Sequence, residues 1–168
     1  MLKTIRLLIA GLIAMGISSV AAAQGLDTKK LFFGAGLSQN EISGFDTGTG
    51  YQFFGGYGFG EVSPKLFVDA EVGYMDTGKM EHEVCFPFIG CAKAEAKAKG
   101  LWANGVGRFM VAPNVELIGR AGLDFGDDDG FMFGVGAGYL LNKNAKLRLE
   151  YVERDTVSSL QFNFVYQP

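Results

Sequence analysis

From Lys30 onward the chain is a train of short segments that place apolar residues on alternate positions, with Gly, charged or amide residues between them. In Leu66 to Tyr74 one parity holds Leu66, Val68, Ala70, Val72 and Tyr74, and the other holds Phe67, Asp69, Glu71 and Gly73. Side chains alternate across a strand, so such a segment has one greasy and one polar face. A soluble sandwich turns its apolar faces to a core and its polar faces to water; a membrane barrel turns apolar out and polar in.

The N-terminal residues bear on compartment. Lys3 and Arg6 precede the apolar run Leu7 to Ile17, and Ala21-Ala22-Ala23 precedes Gln24. This reads as a secretory signal peptide over residues 1–23, leaving residues 24–168 as the exported domain. The run is shorter than the ~20 apolar residues of a spanning helix, so a membrane location has to come from strands. Losing Lys3 and Arg6 moves the formal charge from −3 to −5, a mildly acidic balance that provides no general attraction for nucleic acid. A hydrophobic content of 48%, 25 glycines and 15 phenylalanines beside 20% charged residues suit a narrow, crowded barrel.

Eight strands are expected, at about Lys30 to Ser38, Gly50 to Phe59, Lys65 to Met75, Ala98 to Phe109, Val115 to Phe125, Phe131 to Leu140, Lys146 to Val152 and Ser158 to Tyr166. Most approach the ~9–11 residues that a tilted strand needs to cross a bilayer. The connections Gly60 to Pro64, Met110 to Asn114 and Leu141 to Ala145 are compact and read as periplasmic turns. Gln39 to Thr49, Asp76 to Lys97, Gly126 to Gly130 and Glu153 to Val157 read as the opposite, external loops, which puts both termini in the periplasm.

Parity sends Asp69, Glu71, Glu116 and Glu150 inward with Arg108, Arg120 and Arg148, accompanied by Gln52, Asn104, Gln161 and Asn163. A barrel of ~8 strands is only wide enough for side chains to fill it, and an unpaired buried charge costs several kcal/mol. Four acids against three bases should therefore form a polar plug rather than a single-sign ring that selects an ion. In the fourth strand the parity that buries Arg108 also buries Trp102 and Asn104; a bulge at Gly100 or Gly105 would reverse part of it.

In the longest loop Cys85 and Cys91 bracket Phe86-Pro87-Phe88-Ile89-Gly90, and export to an oxidising compartment predicts a disulfide between them. The run Ala92 to Lys99 alternates as a strand does, which places Lys93, Lys97 and Lys99 on an outer face where they could meet lipopolysaccharide phosphates. Asp127-Asp128-Asp129-Gly130 lacks the interleaved ligands of a calcium loop and reads as an acidic solvated turn. No metal site is expected around the single histidine, His82, nor a cofactor site, because the glycines sit inside alternating strands rather than before a helix. His82, flanked by Glu81 and Glu83, has no neighbouring Ser to form a triad, which argues against an enzyme.

Asp69-Ala70-Glu71-Val72-Gly73-Tyr74, Gly107-Arg108-Phe109, Arg120-Ala121-Gly122 and Arg148-Leu149-Glu150-Tyr151, in that order and spacing, resemble the eight-stranded transmembrane domain of the OmpA family and its small OmpX-like relatives. The resemblance spans nearly all of the exported chain and implies a lumenal ion-pair cluster proposed to gate the barrel. Glu71 and Arg148 stand at two of its positions, whereas Val106 and Gly138 stand where a Lys and a second Glu would be expected. It further implies that the outer-membrane assembly machinery recognises the last strand, here Leu160, Phe162, Phe164 and Tyr166, with Gln167 and Pro168 following the final aromatic.

The expectation is an all-β, eight-stranded, antiparallel up-and-down transmembrane barrel in the outer membrane of a bacterium. It is a monomer with a closed polar lumen that contributes to envelope integrity and meets surface or host partners through its loops. The competing classes are a small gated pore, a carrier of small or hydrophobic ligands, and a lipid-modifying enzyme.

Overall fold

The computed structural model describes residues 27–86 and 90–168, so the expected signal peptide lies outside the described residues. After a turn of 3-10 helix at Thr28–Lys30 come ten strands: β1 (Leu31–Ile42), β2 (Gly48–Ser63), β3 (Leu66–Asp76), β4 (Met80–Phe86), β5 (Gly90–Ala96), β6 (Lys99–Ala112), β7 (Val115–Asp124), β8 (Gly130–Leu140), β9 (Ala145–Glu153) and β10 (Val157–Tyr166). Eight of them close an antiparallel barrel in the order β1-β10-β9-β8-β7-β6-β3-β2, while β4 and β5 pair only with each other. Sequence neighbours pair throughout, except that the β4–β5 hairpin is inserted between β3 and β6.

The eight expected strands are the eight barrel strands. What the pattern missed is the hairpin. Residues 92–99 alternate, but they do not extend the fourth barrel strand: β5 ends at Ala96 and β6 begins at Lys99. Alternation marks a strand without saying which ladder it joins.

Register irregularities fall between Gly58 and Gly60, between Glu61 and Ser63, and between Met110 and Ala112, all at the short-turn end of the barrel. No bulge interrupts β6 at Gly100 or Gly105, so its parity runs unbroken from Trp102 to Arg108. Trp102 is 1% exposed, inside the barrel.

The outer wall is apolar. Phe33, Leu37, Phe53, Phe133, Val135, Leu149 and Phe162 are each more than half exposed, a surface that only a hydrocarbon surround satisfies. The lumen is crowded by large side chains lying over glycines of neighbouring strands. A Cβ on Gly73 would come within 2.5 Å of the Trp102 ring, and one on Gly56 would collide with Phe32. The interior is not wholly polar: Phe32, Phe54, Met75, Trp102, Met132, Val152 and Val165 form a buried apolar cluster. Guanidinium groups lie over its rings, Arg120 at 5.6 Å from Trp102 and Arg148 at 5.9 Å from Phe32.

Candidate functional site: the lumenal ion chain and the loop-end hairpin

Inward parity brings charges from four strands, β3, β6, β7 and β9, into one connected chain. Glu150 of β9 holds Arg120 of β7 at 2.7 Å. Arg120 reaches Glu71 of β3 at 3.1 Å, and Glu71 accepts Nη1 of Arg148 at 2.6 Å. Arg148 approaches Asp69 at 3.8 Å; Asp69 takes the Nε and Nη2 of Arg108, the latter at 2.9 Å. Arg108 then bonds Glu116 at 2.9 Å, and Glu116 meets Lys146 at 3.1 Å. The signs alternate along the whole chain, so each charge is flanked by its opposite, as a low-dielectric interior demands.

All seven residues expected in the lumenal cluster therefore lie in the chain. Lys146 was missed, although it shares the inward parity of Arg148 and Glu150; it balances four acids with four bases. The neutral amides join at one point: Asn163 donates to Glu150 at 3.2 Å, and Gln52 donates to Gln161 at 2.8 Å and Asn163 at 2.7 Å. Asn104, also buried, has no hydrogen-bond partner among the described residues. At Gly138, where the family resemblance implies a Glu, a Cβ would meet the Glu116 side chain at 2.7 Å. Glu116 fills that space from the neighbouring strand.

Toward the loop end a second polar layer crosses the mouth. Arg154 bonds Asp124 at 3.0 Å and donates to Ser159 at 2.9 Å. Ser159 donates to Asn40 at 2.7 Å, and Asn40 donates to Ser38 and to the Thr77 carbonyl, both at 2.9 Å. Residues 153–157 read as a charged external loop from sequence, yet Arg154 keeps the parity of β9 and turns inward. The aspartate run is likewise more than a solvated turn. Asp128 is 6% exposed and accepts the backbone N–H groups of Thr156 at 3.0 Å and Val157 at 3.1 Å, tying two loops together.

Beyond the mouth stands the β4–β5 hairpin, whose register sets Cys85 opposite Cys91. Cys91 is disulfide-bonded. Residues 87–89, including Phe88 and Ile89, lie outside the described residues. Of the lysines expected to face lipopolysaccharide, Lys97 bonds Asp76 at 2.9 Å and Lys93 lies 3.8 Å from Glu81, while Lys99 is exposed at the start of β6. The hydrogen bond to Asp76 raises the Lys97 ammonium above its usual range. Lys93 belongs to the separate hairpin sheet rather than to a continuation of the barrel wall. His82 is a β4 residue rather than a loop residue, with its ring centroid 5.5 Å from that of Phe45. Among the described residues no group of His, Cys, Asp and Glu is arranged to hold a metal ion.

The model of the outer membrane protein beta-barrel domain family matches residues 10–167. No curated protein matches the chain significantly. Among solved structures, a de novo designed transmembrane beta-barrel is similar over 81% of this chain and 92% of its own, at 22% identity and a TM-score of 0.55. The Ail attachment invasion locus protein of Yersinia pestis is 13% identical over 80% of this chain and 93% of its own, with a TM-score of 0.47. Neisserial surface protein A is 15% identical over 82% of this chain and 96% of its own, also at 0.47. With a closed eight-stranded barrel, an apolar wall and a family match over almost its full length, the chain belongs to the outer membrane protein beta-barrel domain family of the bacterial outer membrane.

Proposed function

We propose that this protein is a closed outer-membrane barrel whose strands anchor it and whose loop-end hairpin is the contact surface for an external partner, with a secondary contribution to envelope integrity. One observation carries the reading: the alternating ion chain and the Arg154–Asp124 layer occupy the lumen at successive depths, and among the described residues no ring of one sign lines a path. Function is thereby displaced from the lumen to the loops, where partner choice resides in such architectures. The loop end faces outward and both termini face the periplasm, in keeping with short turns at one end and long connections at the other. A Cys85–Cys91 crosslink joins β4 to β5 across the hairpin register. The outward Leu160, Phe162, Phe164 and Tyr166 of β10 are the surface offered to the assembly machinery.

Reconstituted protein is expected to show no steady discrete conductance in planar bilayers, and replacing residues 76–92 by a short glycine turn should abolish adhesion of expressing cells to their partner surface. A stable conductance would refute the closed lumen; unchanged adhesion would refute the hairpin's role. Mass spectrometry of the non-reduced protein should find no free thiol. Lipid A acylation should be the same with and without the gene, since the reading assigns the barrel no chemistry.

A further inference from the structure

Seven of the eight adjacent pairs in the barrel ring are joined by the chain itself, through turns at one end or loops at the other; β1 and β10, its first and last strands, are not. Their ladder runs from Ile42 opposite Val157 at the loop end to Phe33 opposite Tyr166 at the turn end. One step further along this register Phe32 would face Gln167, and two steps further Leu31 would face Pro168, which has no N–H to give. On its other side β1 goes on pairing, Phe32 with Gly56 and Leu31 with Tyr57 of β2. The seam is therefore two residues short at the turn end, where no turn holds it.

Gln167 spans that gap. Its Nε2 donates to the Lys29 carbonyl at 2.8 Å, its N–H donates to the Asn144 carbonyl at 2.8 Å, and its own carbonyl accepts Nδ2 of Asn144 at 2.7 Å. Both anchors are fixed by bonds of their own. The 3-10 turn before β1 is held by Asp27, whose carboxylate accepts the Lys29 N–H at 3.1 Å and whose carbonyl accepts the Lys30 N–H at 2.9 Å. In the β8–β9 turn the Asn142 Oδ1 accepts the N–H groups of Asn144 at 2.8 Å and Ala145 at 2.9 Å. The bond to Lys29 crosses the seam and exists only when the ring is closed; the two bonds to Asn144 steady the residue that makes it.

We propose that Gln167 is the latch of this seam: it holds the turn end of β1 against β10, and its release lets the two strands part there while the rest of the ring stays shut. The bonds are exposed, so each contributes no more than one ordinary net hydrogen bond and governs a local opening rather than the stability of the whole barrel. The donor is essential to the latch. A side-chain N–H meets the Lys29 carbonyl, and an ionised carboxylate of the same shape has no proton to offer there. Opening at this end also bears on the lumen, because Gln167 shares the lining of a crevice of about 80 Å³ with Arg108 and Lys146, two links of the ion chain. The latch is independent of the loop-end contact proposed above.

The test is backbone hydrogen exchange of the full chain folded in phospholipid nanodiscs, with heat-dependent gel migration verifying the folding of each variant. Gln167→Ala should speed exchange at the turn end of the seam, Phe33 to Ala35 and Phe164 to Tyr166, by about fivefold. Gly107 to Phe109 and Leu117 to Gly119, in the β6–β7 pair that a turn closes, should keep wild-type rates. Gln167→Glu keeps the shape but, ionised at neutral pH, cannot donate, and should match Gln167→Ala. Asn144→Ala removes the donor to the Gln167 carbonyl and should give a smaller acceleration at the same seam amides. Wild-type seam exchange in Gln167→Ala or in Gln167→Glu, or an equal acceleration in the β6–β7 pair, would overturn the proposal. So would failure of Gln167→Ala to fold, since a local latch leaves the barrel itself intact.

Discussion

Glu71 is the carboxylate on which the lumenal chain turns, and Glu71→Ala is the most informative single change. Its oxygens hold Arg148 at 2.6 Å and Arg120 at 3.1 Å, and it is 1% exposed. After truncation Arg120 still has Glu150 at 2.7 Å, but the nearest remaining carboxylate to Arg148 is Asp69 at 3.8 Å, already engaged by Arg108. The loss therefore amounts to one broken buried pair rather than two, for which ~3–5 kcal/mol is expected. Replacing both partners behaves differently. In Glu71→Leu/Arg148→Met the remaining charges fall into two satisfied groups, Glu150–Arg120 and Asp69–Arg108–Glu116–Lys146, so the double variant should lie within roughly 1 kcal/mol of wild type or above it. Trp102 is the only tryptophan and is buried against Arg120, so its fluorescence reports urea unfolding of the barrel in micelles. A Glu71→Ala loss below ~1 kcal/mol, or a double variant as unstable as the single one, would refute the reasoning that desolvated pairing governs this lumen.

Three further outcomes follow from the same geometry. Gly56→Ala drives a methyl into the Phe32 ring and against the Ala70 carbonyl, and should cost about 1–3 kcal/mol in urea unfolding, of which Phe32→Leu relieves only the part due to the ring. Asp128→Ala leaves the N–H groups of Thr156 and Val157 without their acceptor, so the β9–β10 loop should become protease-sensitive while barrel stability falls by no more than ~1–3 kcal/mol. Lys97 is raised by its hydrogen bond to Asp76, so its contribution is complete below the ordinary lysine value of about 10.5 and fades as pH rises past it. Protease resistance of the hairpin should accordingly hold at neutral pH and fall in strong alkali, and Lys97→Met should remove that alkaline transition.

Much of the site was legible because it rests on parity. Asp69, Glu71, Arg108, Glu116, Arg120, Arg148 and Glu150 could be sorted to one face by counting in twos, since a side chain's side of the sheet depends only on its own strand. The same count already contained Lys146 and Asp124, which lie within the expected strands at their ends and were passed over; Arg154 was left out because the strand was ended at Val152, where charge suggests a loop. Gln167 could not be read in that way. Its partners, Lys29 and Asn144, lie 138 and 23 residues away, and its role exists only after closure places β1 and β9 on either side of β10.

The sequence by itself determined a chain of eight strands with an apolar outer and a mixed inner face, which is sufficient to locate it in a membrane. Only the tertiary structure decided who meets whom. Glu71 pairs with Arg120 and Arg148, from β7 and β9, neither of which neighbours β3 in the sheet. It also decided that the alternation after Ala92 serves a separate hairpin. The reason is the range of the two signals. Period-two patterning is local to a strand, whereas contacts across a lumen depend on register and closure, which every strand sets jointly.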